Sequence, residues 1–213
     1  MNRNEKFVIT INRELGSGGR TVGECLAQKL NVSFYDKALI KALENQYDLS
    51  TEEIERLKGQ KHSWWADFKR SVRIGYGMAQ SQYRYYGAIE EPDFLTTDSI
   101  FNSEQQILLG ISEVESCVIA GRSGFHVFRN HPNHLSILIQ APIEQRIKRV
   151  MEKQAIGMEE AKAVIEKVDE MRENYVKRYT GTSRYDTRNY DLVISMKDKT
   201  EDQVVDFILN YIG

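Results

Sequence analysis

The fold is decided by a stretch near the start of the chain, which reads Phe7-Val8-Ile9-Thr10-Ile11-Asn12-Arg13-Glu14-Leu15-Gly16-Ser17-Gly18-Gly19-Arg20-Thr21. The apolar, β-branched run predicts a buried strand, and the glycines after it predict a tight loop that leads into a helix. Three glycines among four residues allow successive backbone N–H groups to point inward, and the helix adds the positive end of its dipole. We expect such a loop to bind a phosphate group.

This loop departs from the phosphate-binding pattern G-x-x-x-x-G-K-[ST], because Glu14 and Arg20 stand where that pattern has its first glycine and its lysine. Gly19, Arg20 and Thr21 still keep the order glycine, basic residue and hydroxyl at the mouth of the helix. The alternative is a glycine-rich turn that binds nothing. The retained order favours the phosphate site, since a mere turn would not require it.

Composition restricts the class of protein. The chain has 213 residues, of which 41% are hydrophobic and 28% charged, so we expect one soluble globular domain with small inserted elements. A formal net charge of -2 argues against a globally basic nucleic-acid binder and favours a small-molecule partner. We expect a cytoplasmic protein without a membrane anchor, because no window approaches the roughly 18 apolar residues of a membrane span. Cys25 and Cys117 are expected as buried apolar residues, not as a disulfide.

Five short apolar runs, each followed by a helical pattern, predict an α/β fold with a five-stranded parallel sheet and helices on both faces. We expect a single domain over residues 1–213, with an inserted helical region at about 46–100 and a helical lid at about 143–178.

An aromatic seam runs through the inserted region. Over residues 63–88 the large side chains recur at alternating three- and four-residue steps, which predicts one long amphipathic helix. The members of this seam include Trp65, Phe68, Val72, Tyr76, Ala79, Tyr83 and Tyr86. Such a helix could cover the core, form a homodimer seam, or act as a lid whose rings stack on an acceptor base.

Charged side chains follow two of the strands. Asp36 ends the second strand, and Arg122 stands between two glycines in Gly121-Arg122-Ser123-Gly124 after the third. Ligands of open α/β sheets bind at the carboxyl ends of strands, so Arg122 is interpreted as an anion clamp and Asp36 as a ligand contact. The alternatives are a surface arginine and a helix cap.

The region 143–178 predicts two helices separated by Gly157. Arg146 and Arg149 lie on one face of the first helix, and Arg172 lies on the second, one turn from Asp169. A hinged cover that brings positive charge over a phosphate and a pair of ordinary solvated helices both fit this pattern. His126, His131 and His134 have no fixed helical spacing, so no metal site is expected there.

Taken together, the chain resembles the cytidylate kinase-like family, relatives of the bacterial cytidylate kinases among the P-loop nucleoside monophosphate kinases. The residues that carry the resemblance are the glycine block from Ile9 to Gly23, Phe34-Tyr35-Asp36-Lys37, Val118-Ile119-Ala120-Gly121-Arg122, and Asp169 with Arg172. The resemblance implies a five-stranded P-loop kinase fold that transfers a phosphoryl group from ATP to CMP or dCMP with Mg²⁺.

The resemblance also implies roles for single residues. The ATP phosphates would lie on Gly16, Ser17, Gly18, Gly19, Arg20 and Thr21, with Arg146 and Arg149 closing from the lid and Thr21 as the Mg²⁺ ligand. The acceptor would contact Asp36, Arg122, Asp169 and Arg172, and the catalytic charges would be Arg20, Arg122 and Arg172.

The chain departs from cytidylate kinases proper at three of these places. It has Arg20 for the loop lysine, and it has Ala120 and Ser123 where those enzymes flank the Gly-Arg pair with aspartates. Two alternatives therefore remain: a catalytically weak nucleotide-binding protein whose aromatic helix docks a partner, and a kinase of a non-nucleotide small molecule.

Overall fold

In the computed structural model, the described residues are 1–36 and 98–213. The inserted helical region at about 46–100 and the aromatic helix at 63–88 lie outside them, apart from Asp98–Ile100 at the start of α2. The elements in chain order are β1 (Val8–Arg13), α1 (Gly19–Leu30), β2 (Ser33–Tyr35), α2 (Asp98–Val114), β3 (Cys117–Ala120), α3 (Gly124–Val127), β4 (His134–Gln140), α4 (Ile143–Gln154), α5 (Met158–Thr180), a 3-10 turn (Thr187–Asn189), β5 (Leu192–Ser195) and α6 (Glu201–Ile212).

The five strands form one sheet in the order β2-β3-β1-β4-β5, and all four pairings are parallel. The predicted α/β fold is therefore confirmed. Because β1 lies at the centre, the loop after it has the ends of β3 and β4 on its two sides. The site is built at this edge of the sheet.

Both faces of the sheet are covered. Alternate residues of a central strand point to opposite faces, so Ile9 and Ile11 of β1 pack against α1 and α6, whereas Val8 packs against α2 and α3. All three of these side chains are fully buried. Helix α6 begins at the capping box that the sequence pattern predicts, with Thr200 accepting from the N–H of Gln203.

The region 143–178 forms the predicted pair of helices, and Gly157 stands between them as the N-cap of α5. Ile147 and Val150 of α4 pack against Ala161 and Ile165 of α5, and Leu15 of the glycine loop joins this apolar cluster. Within residues 1–36 and 98–213, no helix combines the length and the apolar composition that crossing a membrane requires.

Candidate active site

The glycine loop between β1 and α1 is held in shape by its own hydrogen bonds. The N–H of Ser17 donates to the carbonyl of Glu14 at 3.2 Å, and the buried Ser17 hydroxyl donates to the same carbonyl at 2.9 Å. The N–H of Gly19 donates back to this hydroxyl at 3.3 Å. Gly16 and Gly18 have φ angles of 78° and 85°, a left-handed backbone that glycine adopts without strain.

Several amides of the loop remain available to a ligand. Within the described part of the chain, the N–H groups of Gly16, Gly18 and Thr21 make no hydrogen bond. Those of Gly18 and Thr21 lie at the N-terminus of the 12-residue helix α1, where the helix dipole favours an anion. The loop therefore offers unused donors and a positive dipole at one place.

Arginines hold the carbonyls of the loop. Arg146 Nε donates to the carbonyl of Leu15 at 2.7 Å, and Arg172 Nη1 donates to the carbonyl of Arg13 at 3.4 Å. Arg184 donates to the same Arg13 carbonyl. A trans peptide points its C=O and the following N–H in opposite directions, so holding the Leu15 carbonyl turns the Gly16 N–H to the other side. These arginines thus orient the loop amides.

Asp169 of α5 is the carboxylate on which this arrangement converges. One of its oxygens accepts from the backbone N–H of Leu15 at 3.1 Å, and the other pairs with Arg146. Arg184 and Arg172 lie 3.5 and 3.7 Å from the first oxygen. Because Asp169 and Arg146 come from different lid helices, the lid is attached to the glycine loop at several points.

Several guanidinium groups lie close together beside the loop. Among residues 1–36 and 98–213, Arg146, Arg172 and Arg184 surround the carboxylate of Asp169, and Arg13 lies close to Arg172. Burial together with the neighbouring Arg13 and Arg184 lowers the pKa of Arg172, as expected for cations crowded out of water. An anion bound here would relieve this repulsion.

Arg149 of α4 lies beside the loop as well. Its guanidinium pairs with Glu201 of α6, and a Cβ atom added to Gly18 would lie 2.7 Å from Arg149 Nη1. Burial lowers the pKa of the nearby Lys153, and the positive charges of Arg149 and Arg20 lower it further. The outer side of the loop is therefore also basic, on the side where the sequence places ATP.

Arg20 and Asp36 are brought together. Arg20 Nε donates to Asp36 at 3.0 Å, Arg20 Nη1 pairs with Glu24 one helical turn on at 3.1 Å, and the guanidinium carbon lies 5.7 Å from the centre of the Phe34 ring. The sequence assigns Arg20 to ATP and Asp36 to the acceptor. Both assignments stay predictions, and the structure adds that the two side chains form an ion pair.

Arg122 lies in a turn with an unusual backbone. Gly121, Arg122 and Ser123 have consecutive φ angles of 82°, 55° and 52°, and two of these three are not glycine. Left-handed non-glycine residues cost about 1–3 kcal/mol each and cluster at functional sites. The Arg122 side chain is buried, pairs with Glu104 of α2, and lies 5.2 Å from the centre of the Tyr175 ring of α5.

The sequence reasoning missed three members of this site: Arg13, Glu104 and Arg184. The polar composition of residues 179–189 predicts a mobile loop, yet within it Arg184 is completely buried, and the Tyr190 hydroxyl donates to its carbonyl at 2.7 Å. No periodic pattern marks a single arginine in a polar loop, whereas Arg13 could have been found from its place directly before the glycines.

The three histidines surround a separate cavity of about 320 Å³ beside α3. A hydrogen bond of 2.8 Å joins His134 Nε2 and the Thr10 hydroxyl. Burial lowers the pKa of His134 to about 4. Among residues 1–36 and 98–213, no group of His, Cys, Asp and Glu side chains is arranged as a metal site.

The chain is similar to known proteins in sequence and in fold. The model of the cytidylate kinase-like family matches residues 8–198. A protein named cytidylate kinase from Methanosarcina barkeri (strain Fusaro / DSM 804) is 25% identical over 202 residues, which cover 94% of this chain and 93% of that protein.

Two solved structures extend the comparison. An uncharacterized protein from Eubacterium ventriosum ATCC 27560 superposes with a TM-score of 0.69 at 25% identity, covering 98% of both chains. Shikimate kinase from Bacteroides thetaiotaomicron superposes with a TM-score of 0.50 at 14% identity, covering 97% of this chain and 98% of that one, so it is similar in fold alone.

Proposed function

Because the chain belongs to the cytidylate kinase-like family, we propose that it transfers a phosphoryl group from ATP to a nucleoside monophosphate, with CMP or dCMP as the acceptor. The observation that carries the proposal is the set of amides at Gly16, Gly18 and Thr21 that make no hydrogen bond within the described residues, next to the guanidinium groups of Arg146 and Arg184. Phosphoryl transfer needs positioning and positive charge more than it needs a covalent nucleophile. The described site offers both.

The two nucleotides would occupy different sides of the site. ATP phosphates would lie on the loop from Gly16 to Thr21, with Arg146 and Arg149 adding charge from the lid. The Thr21 hydroxyl in the first turn of α1 would hold Mg²⁺, which would supply further positive charge to the phosphates. The donors present fit such a group, since Mg²⁺ takes oxygen ligands and keeps several waters.

The acceptor phosphate would meet Arg122 at the end of β3. Glu104 now pairs with this arginine, so we propose that the incoming phosphate takes over that contact when the acceptor binds. Asp169 and Arg172 on α5, with Asp36 after β2, would contact the rest of the acceptor. Their shared role is to place its phosphate oxygen in line with the phosphoryl group of ATP.

A panel of acceptors tests the proposal. The protein, ATP and Mg²⁺ would be incubated with CMP, dCMP, UMP, AMP or shikimate, and ADP release would be followed by a coupled assay. We expect turnover with CMP or dCMP at least tenfold faster than with the others. If the protein binds ATP but turns over none of these acceptors, the kinase proposal is wrong and the alternative of a nucleotide-binding protein is supported. Turnover with shikimate alone would replace the proposed acceptor class.

A further inference from the structure

We propose that Arg13 supplies the positive charge that a lysine supplies in an ordinary P-loop. Gly19 makes this possible, because a side chain at position 19 would occupy the space that the Arg13 side chain fills. This inference rests on the proposed function, because it concerns how the same loop binds ATP. Arg13 is then a ligand contact as well as the end of β1, and Gly19 is the residue that makes room for its side chain.

The backbone decides how the phosphate-binding pattern applies to this loop. The second glycine of G-x-x-x-x-G-K-[ST] can be Gly19, which puts Arg20 at the lysine place and Thr21 at the hydroxyl place. It can also be Gly18, which puts Gly19 at the lysine place and Arg13 at the first glycine, with Arg20 before the Thr21 hydroxyl as one extra residue. Gly18 has the left-handed φ of 85° and is the N-cap of α1, whereas Gly19 is already helical. The residue that turns the chain into the helix is thus Gly18, and the second assignment is the one that fits.

The two departures from the pattern then compensate each other in space. A Cβ atom added to Gly19 would lie 2.6 Å from Arg13 Cβ, closer than real Cβ contacts come. The Arg13 side chain runs past Gly19 to Gly121, where an added Cβ atom would lie 2.2 Å from Arg13 Nη1. A side chain at position 19 and an arginine at position 13 therefore exclude one another. The positive charge of the loop then comes from Arg13 at the end of β1, and not from a lysine at the start of α1.

The new position of the charge suits phosphoryl transfer. The Arg13 guanidinium lies where β1 and β3 end, next to the turn that carries Arg122, and close enough to Arg172 to lower its pKa. It therefore stands between the loop and the arginine proposed for the acceptor. Arg20 lies in the first turn of α1, on the side of Asp36 and Glu24, with which it pairs. Arg13 is the better placed of the two to contact the phosphate that is transferred.

An exchange of the two residues tests the inference. The variants are Arg13→Gly, Gly19→Lys and the double variant, which puts glycine and lysine at the first and seventh places of the pattern and leaves Arg20 at the eighth. Binding of ATP and of inorganic tripolyphosphate is measured by calorimetry, together with the melting temperature. Arg13→Gly should lose affinity for both ligands by about 10–150-fold, the typical effect of removing a charge-assisted contact. Gly19→Lys should lower the melting temperature, because its Cβ meets Arg13. The double variant should recover affinity to within about tenfold of the wild type.

Three controls keep the result interpretable. Arg13→Met removes the charge but keeps the side-chain stem, and it replaces Arg13→Gly if the glycine variant does not fold. Arg129→Met removes an exposed arginine far from the loop and should bind both ligands like the wild type. Arg20→Met should lose less affinity than Arg13→Met.

The inference is overturned if Arg13→Met binds ATP within about threefold of the wild type, or if Arg20→Met shows the larger loss. It is also overturned if the double variant binds no better than Arg13→Gly. Wild-type protein that binds neither ATP nor tripolyphosphate would instead remove the proposed function, and this inference would fall with it. The two failures are therefore distinguishable.

Discussion

The carboxylate of Asp169 accepts a hydrogen bond from the backbone N–H of Leu15, although 154 positions of sequence separate the two residues. This bond joins helix α5 directly to the glycine loop. Arg146 of α4 pairs with the same carboxylate and donates to the Leu15 carbonyl. Both helices of the predicted lid therefore contact the backbone of the glycine loop.

Asp169→Asn tests these contacts. The asparagine oxygen can still accept from Leu15, but the charge that balances Arg146, Arg172 and Arg184 is lost. Removing one partner of a buried ion pair typically costs about 3–5 kcal/mol, so we expect a loss of that order in the free energy of unfolding, measured with urea in an anion-free buffer. Tripolyphosphate should then raise the melting temperature more in the variant than in the wild type. An equal or smaller rise would contradict the charge argument.

ATP with Mg²⁺ should stabilise the protein against heat, because the phosphate loop exists only in the folded chain. At a concentration of 100 times Kd the gain is about 2.7 kcal/mol, which corresponds to roughly 5–10 °C for a chain of this length. A thermal melt with ATP, ADP, GTP and adenosine measures it. Adenosine, which lacks phosphates, is the matched control. If none of the nucleotides raises the melting temperature, the prediction of a phosphate site is wrong.

Arg122→Ala should weaken the binding of the acceptor and leave the binding of ATP unchanged. Losing a charge-assisted contact worth about 1.5–3 kcal/mol should raise the KM of the acceptor by about 10–150-fold, with ATP binding in the absence of acceptor within about twofold of the wild type. Steady-state kinetics and ATP calorimetry give the two values. Glu104→Gln is a second variant for comparison. It removes the ion pair between Glu104 and Arg122 and should lower the acceptor KM. If Arg122→Ala weakens ATP binding and spares the acceptor, the two strand ends have been assigned to the wrong nucleotides.

His134 should make folding stability depend on pH. Burial lowers its pKa from an ordinary 6.5 to about 4, so the unfolded chain takes up a proton at a pH where the folded chain does not. Its contribution is full above pH 6.5 and is lost as the pH falls towards 4, by up to about 3 kcal/mol. Urea unfolding of the wild type and of His134→Gln at pH 7, 6 and 5 tests this. The stability difference between them should shrink steadily with falling pH, and a difference that stays constant would exclude His134 as the cause.

Three roles are open for the aromatic helix predicted over residues 63–88, and one pair of substitutions distinguishes them. If Phe68 and Tyr76 form a homodimer seam, Phe68→Glu with Tyr76→Glu should give a folded monomer that binds ATP normally. If they line the acceptor site, the mass stays unchanged and acceptor affinity falls. Sedimentation equilibrium and an acceptor titration separate these results, whereas general unfolding would support a core-covering role.

The sequence by itself determined the elements and their order. Short apolar runs predicted the strands, glycines marked the loop and the break at Gly157, and Thr200 with Gln203 marked the start of the last helix, because each of these signals is local. Local signals fix backbone conformation over a few residues, so they also located the glycine loop and placed Arg122 at a strand end.

The tertiary structure alone decided which charges meet. Arg20 with Asp36, Arg122 with Glu104, and Arg146 and Arg184 with Asp169 are pairs set by the strand order β2-β3-β1-β4-β5 and by the docking of α5 on the loop. No local pattern encodes that order. A long arginine side chain can reach several partners from the same backbone position. Burial among particular neighbours selects one of them, as the completely buried Arg184 in a polar loop shows.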